Sequence, residues 1–266
     1  TGNNLNITPG GKGANQAVAA ARIAESPGSV RMVGRIGDDS FGEQMGQFLE
    51  HEGVDISLLR KTVGVASGIA AIFILQDGEN HVNPVYGANG LCDQQQSSDV
   101  AEVLSTTGVL LCQQEIPLEA TRSAIDAASK AGVVVVLDPA PVREVPEGFY
   151  DSVTVLTPNQ GEASAMSGIK VVDAVSARSA ATVIRNMGIE TVIVTLGDKG
   201  AWVESDGGSE LLDPFLVPVV ASVAAGDAFN GGLGVGIASG MDLLDAAWLG
   251  MASGAICVSR DGAQEA

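Results

Sequence analysis

Uninterrupted apolar runs alternate with helix-like segments through the second half of the chain. Runs that are apolar at every position, rather than at alternate positions, are typical of strands buried on both faces. A parallel sheet covered by helices contains such strands, so the pattern predicts an α/β fold with a mainly parallel central sheet. The predicted strands are residues 108–112, 133–137, 153–156 and 191–196, and the helices between them include 117–130 and 176–187.

Residues 61–86 depart from this alternation. Two β-rich segments flank the sequence Asp77-Gly78-Glu79-Asn80, which is suited to a hairpin turn. The pattern predicts a small separate sheet, although from the residues alone an ordinary edge hairpin fits equally well. Further along, residues 225–240 and 243–258 are rich in Ala and Gly, which predicts two helices that pack closely against each other or against a ligand. Tight helix packing is sufficient to explain most of these glycines.

A glycine-rich segment near the start of the chain has the features of a loop that binds a polar ligand. It reads Pro9-Gly10-Gly11-Lys12-Gly13-Ala14-Asn15-Gln16 and leads into residues 17–24, which are predicted to form a helix. Free N–H groups at a helix start favour an oxygen-rich ligand, and Lys12 and Asn15 can both donate hydrogen bonds. The glycine spacing excludes a Walker A loop. A turn that merely requires glycine accounts for Gly10 and Gly11 but gives no reason for Lys12.

The second candidate motif begins the helix predicted over residues 225–240. It reads Ala224-Ala225-Gly226-Asp227-Ala228-Phe229-Asn230-Gly231-Gly232. Backbone N–H groups at this turn suit the charge of a transferring phosphoryl group, and Asp227 suits a base that accepts a proton from the attacking hydroxyl. An isolated Asp at such a position is usually only a helix N-terminal carboxylate worth about 1 kcal/mol. The presence of both motifs in one chain favours the catalytic interpretation.

Three further motifs lie between these two. They read Asp138-Pro139-Ala140-Pro141, Thr157-Pro158-Asn159-Gln160-Gly161-Glu162 and Thr195-Leu196-Gly197-Asp198-Lys199-Gly200. In their order along the chain, all five motifs resemble the signatures of the ribokinase family of ATP-dependent sugar kinases. The resemblance covers essentially the whole chain. The resemblance implies a ribokinase-like three-layer α/β/α fold with a small β lid. The core would comprise residues 9–60 and 87–266, and the lid residues 1–8 and 61–86.

The resemblance also implies roles for individual residues. Asp227 would be the base, beside an anion hole formed by residues 224–227. From the residues alone, Asn159 is equally a helix cap after Pro158, whereas Glu115 follows an apolar strand, where open parallel sheets bind their ligands. The implied catalytic residues are Ala224, Ala225, Gly226 and Asp227; the sugar-binding residues are Gly10, Gly11, Lys12, Asn15, Glu115 and Asp227; the ATP-binding residues are Asn159, Thr195, Gly197, Asp198, Gly200 and Gly226; and Asn159 and Glu162 would hold Mg²⁺, largely through water.

The implied activity is transfer of the terminal phosphate of ATP to a sugar hydroxyl. Within the family, the segment from Gly10 to Ala20 points to conversion of D-ribose to D-ribose 5-phosphate. Kinases of the same family that act on fructose, deoxyribose or a nucleoside are alternatives, as is a binding relative that has lost catalysis. Ala221 stands where family members usually carry an Asp that helps to hold potassium, which puts potassium activation in doubt. We expect the family's first strand and final helix to be absent from this sequence.

Composition and charge exclude some classes of binding partner. The net charge is −18 and the 14 Lys and Arg residues are scattered, so a broad basic surface for nucleic acid is excluded. The apolar runs are far shorter than the roughly 20 residues that span a bilayer, so no membrane partner is expected. Cys92, Cys112 and Cys257 are predicted to be buried thiols, which favours a reducing compartment such as the cytoplasm. The resemblance further implies a homodimer that pairs through the lids.

Overall fold

The computed structural model describes residues 7–74, 80–260, 262 and 264 of the 266-residue chain. In this part of the chain no helix is both long enough and apolar enough to cross a membrane. The strands are β1 (Gly34–Gly37), β2 (Leu59–Thr62), β3 (Ile69–Ile74), β4 (Asn80–Val85), β5 (Val109–Cys112), β6 (Val134–Leu137), β7 (Val155–Leu156), β8 (Thr191–Thr195), β9 (Ala201–Ser205) and β10 (Gly208–Leu212). The α-helices are α1 (Lys12–Ile23), α2 (Ser40–His51), α3 (Gln94–Val103), α4 (Leu118–Lys130), α5 (Gln160–Ser167), α6 (Ala174–Arg185), α7 (Ala225–Ala238) and α8 (Leu243–Val258).

The main sheet contains six strands in the order β10-β9-β8-β7-β6-β5. Strands β5 to β8 are parallel to one another. The antiparallel strands β9 and β10 extend the sheet beyond β8. The four strands predicted from the apolar runs correspond to β5, β6, β7 and β8, with ends that agree within two residues. The prediction of a mainly parallel central sheet is therefore confirmed.

Side chains of the parallel strands point alternately into two hydrophobic clusters, one on each face of the sheet. In β6, Val135 packs in the cluster that contains Ile184 of α6. The next residue, Val136, packs in the cluster that contains Phe229 of α7. Helices α3 to α6 therefore cover one face, and α7 and α8 cover the other, in a three-layer α/β/α arrangement. Burial of both faces explains why these strands are apolar at every position.

Two helices begin earlier than the sequence pattern predicts. The pattern places the start of α1 at residue 17, but α1 begins at Lys12, because the backbone N–H of Asn15 donates to the Gly11 carbonyl at 2.9 Å. Lys12 and Asn15 consequently lie in the first turn of a helix rather than in the loop before it. Helix α6 begins at Ala174 because the Asp173 carboxylate accepts a hydrogen bond from the backbone N–H of Ser176 and caps the helix.

The predicted hairpin is present as β3 and β4, which form an antiparallel two-stranded sheet of their own. The hairpin is thus separate from the main sheet, and the alternative of an ordinary edge hairpin is wrong. Residues 75–79, which include most of the proposed turn, and residues 1–6 of the proposed lid lie outside the described residues. Strand β2 pairs with β1 in parallel and crosses the predicted boundary between core and lid at residue 60.

Helix α7 packs closely against α1 and α8 through glycines. A Cβ atom at Gly231 would lie 2.7 Å from the Cβ of Ala19 and 2.9 Å from the carbonyl oxygen of Gln16, both in α1. A Cβ atom at Gly250 of α8 would lie 2.8 Å from the carbonyl oxygen of Phe229 in α7. These distances are shorter than van der Waals contact, so only glycine allows the backbones to approach this closely. The close packing predicted from the Ala and Gly content is confirmed.

We expect Gly231→Ala to lower the free energy of unfolding by about 1–3 kcal/mol, because the added methyl group forces α7 away from the backbone of α1. Gly46→Ala in α2 is a matched control, since its Cβ would meet Ile36 and Ile56 only at 3.9 Å. This control should raise the free energy of unfolding by about 0.5–1 kcal/mol, because Ala favours a helix over Gly. Urea unfolding followed by circular dichroism measures both. A change of the same sign in the two variants would contradict the packing argument.

Candidate active site

Polar side chains converge at the carboxyl ends of the four parallel strands. Gln113 follows β5 and Asp138 follows β6, while Thr157 follows β7 and Thr195 ends β8. Open α/β sheets bind their ligands at this edge. The first turns of α1 and α7 meet at the same edge. There, Asn15 and Gln16 of α1 donate hydrogen bonds to Asp227 of α7. The fold thus brings residues from all five sequence motifs to one edge of the sheet.

A cleft of about 490 Å³ opens at this edge, beside a smaller recess of about 40 Å³. Both are bordered by Lys12, Asn159, Thr195 and Gly226. The volume of the cleft is within the range of small-molecule sites. The cleft is lined by Lys12, Asn159, Gln160, Gly161, Thr195, Gly197, Ser222, Ala224, Ala225, Gly226 and Asp227, most of which the sequence analysis singled out.

Asp227 lies in the first turn of α7 and is only 6% exposed. Its Oδ2 accepts a hydrogen bond from Asn15 Nδ2 at 2.8 Å, and its Oδ1 accepts one from Gln16 Nε2 at 3.2 Å. Burial raises the pKa of Asp227, while the charge of Lys12 and the two amide donors oppose this rise. A buried carboxylate with a defined orientation and a raised pKa is suited to accept a proton.

Lys12 provides a positive charge where the cleft meets the recess. Its Nζ lies 3.6 Å from Oδ2 of Asp138, which is buried and also accepts a hydrogen bond from Gln16 Nε2 at 3.1 Å. Burial raises the pKa of Asp138 to about 7, against the opposing charge of Lys12. Burial by itself lowers the pKa of Lys12, but the surrounding carboxylates outweigh it, so the pKa is raised and Lys12 stays protonated at neutral pH. These carboxylates are Asp138, Asp227, Glu162 and Glu115.

Asn159 caps helix α5. Its Oδ1 accepts a hydrogen bond from the backbone N–H of Glu162 at 2.9 Å, and Glu162 Oε2 accepts one from the backbone N–H of Asn159 at 2.8 Å. The cap interpretation that the sequence left open is therefore confirmed. Both side chains also line the recess, together with Asp138 and Thr157. Carboxylate, amide and hydroxyl oxygens are thus present there, and oxygen ligands are those that Mg²⁺ prefers.

The start of α7 presents backbone donors to the cleft. Ala224 has a φ of 60° and lies in the left-handed region, which non-glycine residues rarely adopt. The N–H of Ala228 donates to the Ala224 carbonyl, so the N–H groups of the three residues between them have no partner within the helix. Among the described residues outside the helix itself, no atom lies within 4 Å of the Cβ position of Gly226, so a ligand can approach this backbone. A helix start of this kind is suited to an anion.

Four of the predicted sugar-binding residues lie close to this cleft without lining it in the described structure: Gly10, Gly11, Asn15 and Glu115. Glu115 is half-buried and faces Lys12; burial raises the pKa of Glu115, and the positive charge of Lys12 opposes the rise. Gly10 and Gly11 precede α1, and apart from their chain neighbours no atom of the part of the chain that the structure describes lies within 4 Å of either Cβ position. The open backbone at these two glycines leaves room for a ligand.

Some of the residues predicted to bind ATP line the cleft and others do not. Gly197 and Thr195 line the cleft, whereas Asp198 is exposed in the short turn Gly197–Lys199. Gly200 is buried with a φ of 90°, and a Cβ atom there would collide with the carbonyl oxygen of Leu212. The packing of β9 against β10 therefore accounts for the glycine at position 200.

Several residues at the centre of the site have no predicted role in the sequence. Asp138 directly follows a buried strand, so the rule that parallel strands end at ligand sites could have identified it. Gln16 donates to both Asp138 and Asp227, and its Oε1 accepts a hydrogen bond from Gln113 Nε2 at 2.6 Å. Gln264 Nε2 donates to Asn15 Oδ1 at 2.7 Å. These glutamine contacts have no local sequence signal.

The chain is similar in sequence and in structure to known sugar kinases. The ribokinase of Haemophilus influenzae is 37% identical over 264 residues, which are 99% of this chain and 85% of the relative. The deoxyribokinase of Salmonella typhi is 35% identical over 225 residues, 84% of this chain and 72% of the relative. The structure of Arabidopsis thaliana ribokinase complexed with ribose and ATP superposes with a TM-score of 0.89 at 29% identity, covering 96% of this chain and 83% of that one, and confirms the ribokinase-like fold. Residues 1–266 match the model of the pfkB family carbohydrate kinases. The chain therefore belongs to the pfkB family of carbohydrate kinases.

Proposed function

We propose that the protein is an ATP-dependent ribose kinase that converts D-ribose to D-ribose 5-phosphate. The observation that carries the proposal is the position of Asp227. This buried carboxylate is oriented by two amide donors, lies at the start of a helix with free backbone N–H groups, and shares the cleft with Lys12. The relatives named ribokinase, which match the chain almost end to end, support ribose as the acceptor.

Each part of this geometry has a chemical task in phosphoryl transfer. Asp227 accepts the proton of the sugar hydroxyl as its oxygen attacks the γ-phosphorus of ATP and ADP leaves. The backbone N–H groups of residues 225–227 stabilise the negative charge on the transferring group. Lys12 faces the same cleft and offsets part of that charge. Asn15 and Glu115, which lie beside Asp227 and Lys12 respectively, would bind the other sugar hydroxyls.

We propose Mg²⁺ as the divalent ion that accompanies ATP. The recess supplies oxygen donors from Glu162, Asn159 and Thr157, which fit a hard cation. Among the described residues no group of three or more His, Cys, Asp or Glu side chains is arranged to hold a metal, so water would complete the coordination. The bound ion would neutralise phosphate charge. Ala221 offers no side-chain oxygen, so this position does not support potassium binding.

We propose that the protein forms a homodimer that pairs through the lids. Ile69 of β3 and Val85 of β4 are exposed apolar side chains on the hairpin, which supports this pairing.

We also propose that the protein works in a reducing compartment such as the cytoplasm. Cys92 and Cys257 are buried, Cys112 is half-buried, and all three are free thiols, which supports this compartment.

The first test is ADP release with Mg·ATP in the presence of ribose, fructose, deoxyribose or adenosine. We expect the highest kcat/KM with ribose, because a site that hydrogen-bonds each hydroxyl discriminates strongly against an analogue that lacks one. A higher kcat/KM with deoxyribose would assign the protein to the activity of its Salmonella relative. Thermal stabilisation by ribose without any ADP release would identify a binding protein that has lost catalysis.

Asp227→Asn should lower kcat by about 10²-fold or more, because an amide cannot accept the proton of the hydroxyl. Binding of ribose and ATP, measured by calorimetry, should change little, since Asn has nearly the same shape. Asp213→Asn makes the same change at an exposed position and should leave kcat unaltered. Full turnover by the Asp227 variant would exclude this residue as the base.

Glu162→Gln should raise the Mg²⁺ concentration needed for half-maximal rate by about tenfold, the lower end of the usual effect of removing a carboxylate near a metal. Gln at this position can still cap α5, so the free energy of unfolding should hardly change. Glu119→Gln, in the exposed first turn of α4, is the charge-matched control. An unaltered Mg²⁺ requirement in the Glu162 variant would contradict its role.

A further inference from the structure

Four side-chain amides form a hydrogen-bonded network around Asp227. The inner two, Asn15 and Gln16, lie in the first turns of α1 and donate to the two carboxylate oxygens. The outer two come from distant parts of the chain and donate to the oxygens of the inner pair. Gln113 Nε2 donates to Gln16 Oε1 at 2.6 Å, and Gln264 Nε2 donates to Asn15 Oδ1 at 2.7 Å.

The outer contacts determine which end of each inner amide faces the carboxylate. A carboxamide can present either its NH₂ group or its oxygen, and only the NH₂ group attracts an ionised Asp. With a donor engaging its oxygen, each inner amide is held with the NH₂ group toward Asp227. If Asn15 or Gln16 turned over, its oxygen would face the carboxylate and its NH₂ group would face another NH₂ group.

Water is poorly placed to substitute for these outer donors. Gln16 and Gln264 are each only 1% exposed and Asp227 is 6% exposed, while Asn15 and Gln113 are half-buried. In such a site hydrogen bonds are stronger than in water, and a lost partner leaves a buried polar group without compensation. The orientation of Gln16 therefore depends on protein groups, and that of Asn15 depends on the buried amide of Gln264 that engages its oxygen.

We propose that Gln113 and Gln264 are positioning residues, which hold Gln16 and Asn15 with their NH₂ groups toward Asp227 and so keep the proposed base ionised and correctly oriented. The inference rests on the proposed function, in which Asp227 is the base. Gln16 also donates to Asp138, so the hydrogen bond from Gln113 to Gln16 helps to orient a second buried carboxylate.

Loss of an outer donor should raise the pKa of Asp227, because the inner amide no longer stabilises the ionised form. The other groups that face Asp227 would remain and cannot replace the lost donor. Among the described residues, the positively charged group that acts on Asp227 is Lys12. The remaining groups would be negatively charged on ionisation and would oppose ionisation of Asp227: Glu115 and Asp138 after β5 and β6, Glu162 in α5 and Cys257 in α8.

Gln113→Met and Gln264→Met test the inference, since Met is similar in length, adds no charge and cannot donate. The readout is the dependence on pH of kcat/KM for ribose, or for the best sugar of the panel. In each variant the acidic limb should move to higher pH by about one unit, which corresponds to one hydrogen bond to a charged group. A purely structural role would lower the free energy of unfolding and leave the acidic limb in place.

If a Met variant fails to fold, Gln113→Glu or Gln264→Glu tests the same hydrogen bond to the inner amide. An ionised Glu accepts rather than donates, so it should draw the NH₂ group of the inner amide away from Asp227 and move the acidic limb at least as far. Gln44→Glu, at an exposed site in α2, adds the same charge and should not move the limb. A variant that folds and keeps the wild-type acidic limb overturns the proposal for that glutamine.

The two proposals fail in different ways. If Asp227→Asn keeps full turnover, the assignment of the base is wrong and the positioning role falls with it. If Asp227→Asn is inactive while both Met variants keep the wild-type acidic limb, the base stands and only the positioning role is overturned.

Discussion

The close approach of α7 to α1 is the constraint on which the site depends. Because Gly231 has no Cβ atom, the backbone of α1 can lie within 2.9 Å of the position that a Cβ atom at residue 231 would occupy. Asp227 precedes Gly231 by four residues, so both are on the same face of α7 and both face α1. The glycine contact therefore places Asp227 against Asn15 and Gln16, more than 200 residues away in sequence. A larger residue at position 231 would move the proposed base away from the amides that orient it.

Burial of several carboxylates around one lysine dominates the electrostatics of the site. The pKa of Asp138 rises to about 7, and the pKa values of Asp227, Glu162 and Glu115 also rise, because burial disfavours their charged forms. Lys12 and the side-chain amides offset part of this cost without removing it. A site with this excess of acidic groups is suited to a cation, and it would bind the anionic phosphates of ATP poorly without one.

Several parts of the fold could be predicted because they follow from local patterns. Strands β5 to β8 are buried on both faces, so their apolar runs stand out from the flanking sequence. Helix boundaries were less predictable where the cause was a single hydrogen bond, as at Lys12, where the helix includes residues that read as a loop. Asn159 shows the same limit, because a cap and a ligand-binding amide have identical sequence signatures, and here the side chain caps α5 while also lining the recess.

The sequence by itself determined the layered architecture and the motif residues, because hydrophobic periodicity and glycine placement act over a few neighbouring positions. The family resemblance of these motifs implied that Lys12, Asn159, Thr195 and Gly226 bind ligands, and these residues border the cleft and the recess. Only the tertiary structure decided the contacts of Gln113 with Gln16 and of Gln264 with Asn15. The direction in which a side-chain amide points depends on which donors the folded chain brings beside its oxygen, and packing of distant helices and strands decides that.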